Sequence, residues 1–180
     1  MIKRIIEETI NKYLHSGDTK ILFVWGPRRS GKTTLINKLA RELGASKFNF
    51  DVQSDREKFS PRREALETIV KENKAILIDE VQNYPEATVI LKILHDEFKV
   101  KIIATGSSEL RQKSSKEFDT LAGRFNETYC LPLSIFEVQD HEKPKDSDLN
   151  PFSSLTAKKI QIFGAYPEVY LADKLNEKAR

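Results

Sequence analysis

The run Gly26-Pro27-Arg28-Arg29-Ser30-Gly31-Lys32-Thr33 carries the spacing G-x-x-x-x-G-K-[ST], and each residue type in it suits a grip on phosphate. The two glycines let the backbone fold back so that successive N–H groups face inward, and a following helix adds the positive end of its dipole. Lys32 is placed to reach the β- and γ-phosphates as a point charge, and the Thr33 hydroxyl to ligate Mg²⁺. Pro27 stiffens the loop entry. Arg28 and Arg29 stand between three readings: facing the phosphates, facing a partner, or solvated at the loop tip. With Ser30 and Thr34 these residues form the expected binding segment, and its expected ligands are ATP and Mg²⁺.

A second element, Ala75-Ile76-Leu77-Ile78-Asp79-Glu80, puts two carboxylates after four apolar residues, at the C-terminal end of a strand where open α/β sheets place their ligand crevice. Asp79 is expected to hold the magnesium, directly or through water, and Glu80 to act as the base that orients and polarises the attacking water. A third, Ile102-Ile103-Ala104-Thr105-Gly106-Ser107-Ser108, ends a strand in hydroxyls. One of Thr105, Ser107 and Ser108, with Ser107 chosen, is expected to report on the γ-phosphate or the lytic water. In the fourth, Leu121-Ala122-Gly123-Arg124, the arginine is either a transition-state charge stabiliser, from its own chain or a neighbour's, or a surface residue paired with an acid. The base is read by exclusion of guanine. Switches that bind GTP use Asn-Lys-x-Asp, whereas Asn73-Lys74 is followed here by Ala75-Ile76.

These groups need a scaffold that brings strand ends together. Ile21–Trp25 and Ala75–Ile78 are continuous apolar runs, the pattern of strands buried on both faces of a parallel sheet. Weaker strands are expected at 47–51, 100–105 and 127–131. Between them, apolar residues at helical spacing predict helices over 33–43, with Leu35, Ile36, Leu39 and Leu43 inward and Gly44 as a stop, and over 61–71 and 86–98, the last with Val89, Ile90, Ile93 and Leu94 inward. An amphipathic helix over 2–14 opens the chain. Residues 107–115 read as a loop or short helix, and 135–138 as the start of another helix. Strands alternating with helices predict a three-layer α/β domain. The expected organisation is a core over 1–140, a linker or exposed loop over 141–151, rich in proline and charge, and a helical C-terminal region over 152–180, with helices at 155–163 and from 168 onward.

At 180 residues the chain suits one domain, and no apolar run is long enough to span a bilayer, so no membrane insertion is expected. The first residues mix charge with isoleucine and lack the pattern of a secretory signal, which points to the cytoplasm. A net charge of +3, from interspersed residues of both signs, is no argument for nucleic acid. Cys130, the one cysteine, sits in an apolar run as a buried thiol, and His15, His95 and His141 share no metal-site spacing.

Taken in order, these motifs, with Leu131-Pro132-Leu133-Ser134-Ile135-Phe136-Glu137 and Gly164-Ala165-Tyr166-Pro167-Glu168, resemble a prokaryotic family of AAA-type ATPases. Ala165 stands where a second glycine is usual. The resemblance covers most of the chain and implies a P-loop NTPase core of the additional-strand type, with a mostly parallel five-stranded sheet, and a role for Glu80 in hydrolysis. It also implies a longer architecture with a further C-terminal domain. Expected partners are therefore ATP and ADP, further copies of the chain, and a DNA or protein partner reached through that region. The competing readings are a nucleotide-binding scaffold or DNA-associated regulator with negligible hydrolysis, and a DNA-dependent motor, for which the length leaves no second lobe.

Overall fold

The computed structural model describes residues 2–108, 120–144 and 149–172. Helix α1 (Ile6–His15) leads into β1 (Ile21–Gly26), α2 (Lys32–Leu43) and β2 (Lys47–Asn49). Then follow α3 (Gln53–Lys58), α4 (Arg63–Glu72), β3 (Ala75–Asp79), a 3₁₀ turn (Val81–Asn83), α5 (Ala87–Ile93) with a π-helical turn (Leu94–Phe98), and β4 (Lys101–Ser107). The chain continues through β5 (Phe125–Tyr129), α6 (Ile135–Glu142), α7 (Leu149–Phe163) and α8 (Pro167–Leu171). The strands lie in the order β2-β3-β4-β1-β5 and every pairing is parallel. An extra strand, β4, thus separates the acidic strand β3 from the loop-bearing strand β1, as the additional-strand expectation requires.

The alternation of side chains along β1 sorts the two cores. Ile21, Phe23 and Trp25 enter the larger cluster, with Leu66 and Ile69 of α4, Ile90 and Leu91 of α5 and Leu94 of the π-helical turn. Leu22 and Val24 enter the other, with Ile6, Ile10 and Tyr13 of α1 and Leu35, Ile36 and Leu39 of α2. Both faces are covered, which is why β1 reads as an unbroken apolar run. Full burial of a side chain such as Ile36 or Ile90 contributes roughly 1.5–3 kcal/mol. Helix α2 ends at Gly44 in the left-handed region (φ 58), where its N–H bonds the Ala40 carbonyl, the glycine stop expected. Tyr13 joins α1 to the sheet: its hydroxyl donates to the Ile102 carbonyl (3.1 Å) and accepts from the Ile102 N–H (3.0 Å). Burial pushes that phenol up to about 12.

Several expected boundaries are corrected. The first helix starts at Ile6, and residues 2–4 run outside it as a separate segment. Leu43 and Val89 are 40% and 52% exposed; Ile90 and Leu94 are buried as expected, and Ala87 and Leu91 turn inward in place of Val89. Helix α3 was not expected, because Gln53–Lys58 holds no apolar residue to reveal a face. β5 begins two residues earlier than expected: it is an edge strand with exposed positions, and the apolar run Cys130–Leu133 is where the chain leaves the sheet. The stretch 141–151 is not a loop throughout. α6 continues to Glu142, and α7 already begins at Leu149, since Pro151 falls in a first turn whose N–H groups need no helical acceptor. Of the stretch 107–115, Ser107 closes β4 and Ser108 is helical; residues 109–115 lie outside the described residues, as does the expected final helix beyond residue 172. Among the described residues no helix is long and apolar enough to cross a membrane.

Candidate nucleotide site

β1 delivers the loop at its C-terminal end, and two backbone features shape it. A Cβ at Gly26 would lie 2.2 Å from the Cys130 carbonyl oxygen, so close packing against the end of β5 requires glycine there. Gly31 has φ +98, a left-handed conformation that lets the chain turn into α2. Arg29 is also left-handed (φ 63), a strained position for a side chain with a Cβ.

Around the loop opens a cavity of about 420 Å³. Its polar wall holds Arg28, Arg29, Gly31, Lys32, Thr33, Thr34 and Glu80, the residues singled out from the motif and the acidic pair. Ile2, Leu133, Pro167 and Leu171 form an apolar end, and Glu7 and Lys38, ion-paired, flank it. That apolar end joins the chain's first residues to α8 through a third small core of Ile2, Leu133 and Val138, against which Phe152 and Tyr170 pack. The Leu133 N–H donates to the Ala165 carbonyl (2.7 Å), so the two late motifs meet at the mouth of the cavity. No pattern in the local sequence announces the cavity's apolar residues, because Ile2, Leu133 and the pair Pro167 and Leu171 come from three separate segments.

Lys32 is 4% exposed, and its ammonium donates to the carbonyls of Gly26 and Pro27, both at 2.9 Å. Burial holds its pKa below the usual lysine value, while the nearby Glu80 carboxylate opposes that shift. Thr33 and Thr34 are exposed on the cavity wall. Ser30 is fully buried and its hydroxyl has no hydrogen-bond partner.

The acidic pair divides. Asp79 is 1% exposed and is not among the residues lining the cavity. Its Oδ1 accepts from the Thr105 hydroxyl at 2.5 Å; its Oδ2 has no hydrogen bond but lies 3.4 Å from the Lys47 ammonium. Thr105 is thereby committed to Asp79. Glu80 sits on the cavity wall in a left-handed conformation (φ 55). Its Oε2 accepts from Gln82 Nε2 (2.6 Å), and Gln82 Oε1 accepts from the Ser107 N–H (3.3 Å). Gln82 closes the Leu77–Gln82 stretch of the family resemblance but carried no expected role, and Lys47, outside every motif, was not anticipated. Ser107 is 2% exposed, pairs in register with Gly26, and its hydroxyl has no partner. The three buried side-chain polar atoms without a hydrogen bond among the described residues are those of Ser30, Asp79 and Ser107, all at the C-terminal end of the sheet.

Arg124 is not brought to this group. It precedes β5, and its carbonyl accepts from the N–H of Ile21 at the start of β1, the length of that six-residue strand, about 17 Å, from the loop in its own chain. Its Nε donates to Asp96 at 2.8 and 3.1 Å. Asp96 is held down to about 2, first by Arg124 and then by His95.

The donor set fits magnesium: the Thr33 hydroxyl and the Asp79 and Glu80 carboxylates are hard oxygens. Among the described residues no group of three or more His, Cys, Asp or Glu side chains forms a metal cage, so an ion here would take most of its ligands from phosphates and water.

The AAA domain family matches residues 18–139, which takes in both acidic-strand and loop motifs. A curated relative, an uncharacterized protein of Methanocaldococcus jannaschii, is 28% identical over 146 residues, 74% of this chain. The chain spans 30% of that relative's length. Among solved structures, the S. cerevisiae Hsp104:casein complex in its extended conformation superposes with a TM-score of 0.57 at 17% identity, over 91% of this chain and 35% of that one. A structure of Pif1 helicases on forked double-stranded DNA gives 0.50 at 15% identity, over 75% and 45%. At these identities the likeness shows the fold, that of P-loop NTPases.

Proposed function

We propose, on the premise that the chain belongs to the AAA domain family, that it is an Mg²⁺-dependent ATPase module whose nucleotide state is coupled to its conformation or assembly. One observation carries the reading: Ser30, Asp79 and Ser107, at the C-terminal ends of β1, β3 and β4, each bury a polar atom that the fold leaves without a hydrogen bond. Buried polar atoms without hydrogen bonds are rare, and three of them at the strand ends behind the wall of a cavity that the buried Lys32 lines support a functional role for this end of the sheet.

In this proposal the loop amides and Lys32 hold the β- and γ-phosphates, and the base lies toward Ile2, Leu133, Pro167 and Leu171. Thr33 ligates magnesium and Asp79, behind the cavity wall, reaches it through water. The ion would supply charge neutralisation on the transferred phosphoryl group. Glu80 orients the attacking water, and Gln82 ties its carboxylate to the end of β4, where the Ser107 hydroxyl is placed to read the γ-phosphate. Arg124, on the far edge of the sheet, serves the site of a neighbouring copy. With Cys130 a buried free thiol, a cytoplasmic location belongs to the same proposal. So does a core over 1–140 followed by a helical region that leads to a DNA- or protein-binding part.

The test is calorimetry of Mg·ATP and Mg·ADP binding to the chain and to Lys32→Ala. Saturable binding by the first and not the second is expected; equal titrations, or a flat one with the parent, would sink the reading. The distance of Arg124 from its own site favours a second reading, a nucleotide-bound scaffold with negligible turnover. ATPase activity per chain that rises with protein concentration selects the enzyme; activity near background at all concentrations selects the scaffold.

A further inference from the structure

We propose that Arg4, outside every motif, is a positioning residue for the phosphate loop: its buried guanidinium turns the Ser30 peptide so that the Gly31 N–H faces the cavity. The inference rests on the nucleotide reading above and adds a residue of the cavity wall, from a segment no motif marks, that sets the loop's shape.

In a planar trans peptide the carbonyl of one residue and the N–H of the next point in opposite directions. The Ser30 carbonyl accepts from Arg4 Nη1 at 2.7 Å and from the Cys130 thiol at 3.6 Å. Holding that carbonyl against Arg4 therefore aims the Gly31 N–H the other way. The fit is mutual, since a Cβ at Gly31 would come within 3.1 Å of Arg4 Nη1. Glycine at this position both permits φ +98 and leaves room for the guanidinium.

The guanidinium is itself held on its other edges. Nε donates to Glu137 Oε1 at 3.0 Å and Nη2 to the Leu131 carbonyl at 2.5 Å. Glu137 also accepts from the Ile5 N–H (2.8 Å) and, as part of the capping box that opens α6, from the Ser134 N–H (2.8 Å). The Arg4 and Glu137 side chains are only 8% and 6% exposed. A buried ion pair is weak evidence for stability, because apolar residues of equal volume often serve as well. Apolar residues could not hold the Ser30 carbonyl, however, and a lysine, with a point ammonium on a flexible stem, could not serve Ser30, Leu131 and Glu137 from one rigid plane. The arrangement couples the loop to residues 2–5 and to the start of α6, so phosphate binding and the seating of that segment strengthen each other.

The experiment uses the full chain with Arg4→Lys and Glu137→Gln, ADP as probe, calorimetry for affinity and ¹⁵N NMR for the Gly31 amide. Arg4→Lys is expected to weaken ADP binding about 10-fold or more, the scale of a lost charge-assisted hydrogen bond. Its Gly31 resonance should no longer make the shift that ADP induces in the parent. Glu137→Gln should weaken ADP by a smaller factor, and it carries the test if Arg4→Lys does not fold. Parent-like affinity in the variants, or weaker binding with the Gly31 shift intact, would overturn the role given to Arg4. A parent that binds no ADP would overturn the nucleotide reading as well, which separates the two failures.

Discussion

The two edges of the sheet hold the same kinds of side chain in opposite circumstances. At the N-terminal edge the Lys101 ammonium donates to the carbonyls of Tyr13 (2.8 Å), Ser16 (2.9 Å) and Asp18, capping the end of α1, and lies 4.4 Å from the Tyr13 ring centroid. Nearby, Asp18 accepts from the Asn126 side-chain amide and the Lys20 N–H. At the C-terminal edge Lys32 is buried on two carbonyls of its own loop, and Ser30, Asp79 and Ser107 each bury an atom with no hydrogen bond. Partners supplied by the fold mark groups that serve the fold. Burial without them costs stability, and a site retains such a cost where a ligand supplies the missing contacts.

If that contrast is correct, substitutions at the two edges should separate activity from stability. The largest effect is expected of Glu80→Gln, with turnover lowered on the order of 10³ to 10⁴ and ATP affinity kept, since only proton handling at the water is removed. Steady-state phosphate release and calorimetry together check it; unchanged hydrolysis would remove Glu80 from its role. Arg124→Ala is expected to lower turnover of the assembled protein on the order of 10³ without changing ATP affinity of the single chain. Mixing it with Glu80→Gln sharpens the point, because each chain supplies what the other lacks, and recovered activity would place the arginine in trans.

Lys32→Ala should weaken ADP binding by about 10² while leaving urea stability equal or higher, since a buried ammonium with depressed pKa is lost. The same depression sets a pH dependence. Phosphate restores the charged form, so ADP affinity should be steady at low pH and fall as pH rises, beginning below the ordinary lysine value. An affinity that stays level through that range would contradict the burial argument. Lys101→Met is the smallest and runs the other way: unfolding free energy lower by about 1–2 kcal/mol, with ADP affinity unchanged. A loss of affinity there would erase the distinction between the edges.

Local sequence determined much of this molecule. Apolar runs long enough to be buried on both faces placed β1 and β3, the glycine-lysine spacing placed the loop, and the acids after Ile78 placed Asp79 and Glu80, because each signal lies within a few consecutive residues. Where one face is polar, as in α3, or a strand lies at the edge, as in β5, the pattern faded and boundaries moved. Tertiary structure alone decided the rest of the site. Only the strand order β2-β3-β4-β1-β5 sets Ser107 beside Gly26, hides Asp79 behind Thr105 and Lys47, and sends Arg124 to the far edge. Only folding brings Arg4 to Ser30 and Ile2 to Leu133, residues whose separation in the chain leaves no periodicity or spacing to read. The loop from Gly26 to Thr34 was legible because its chemistry is local; what holds and completes it is not.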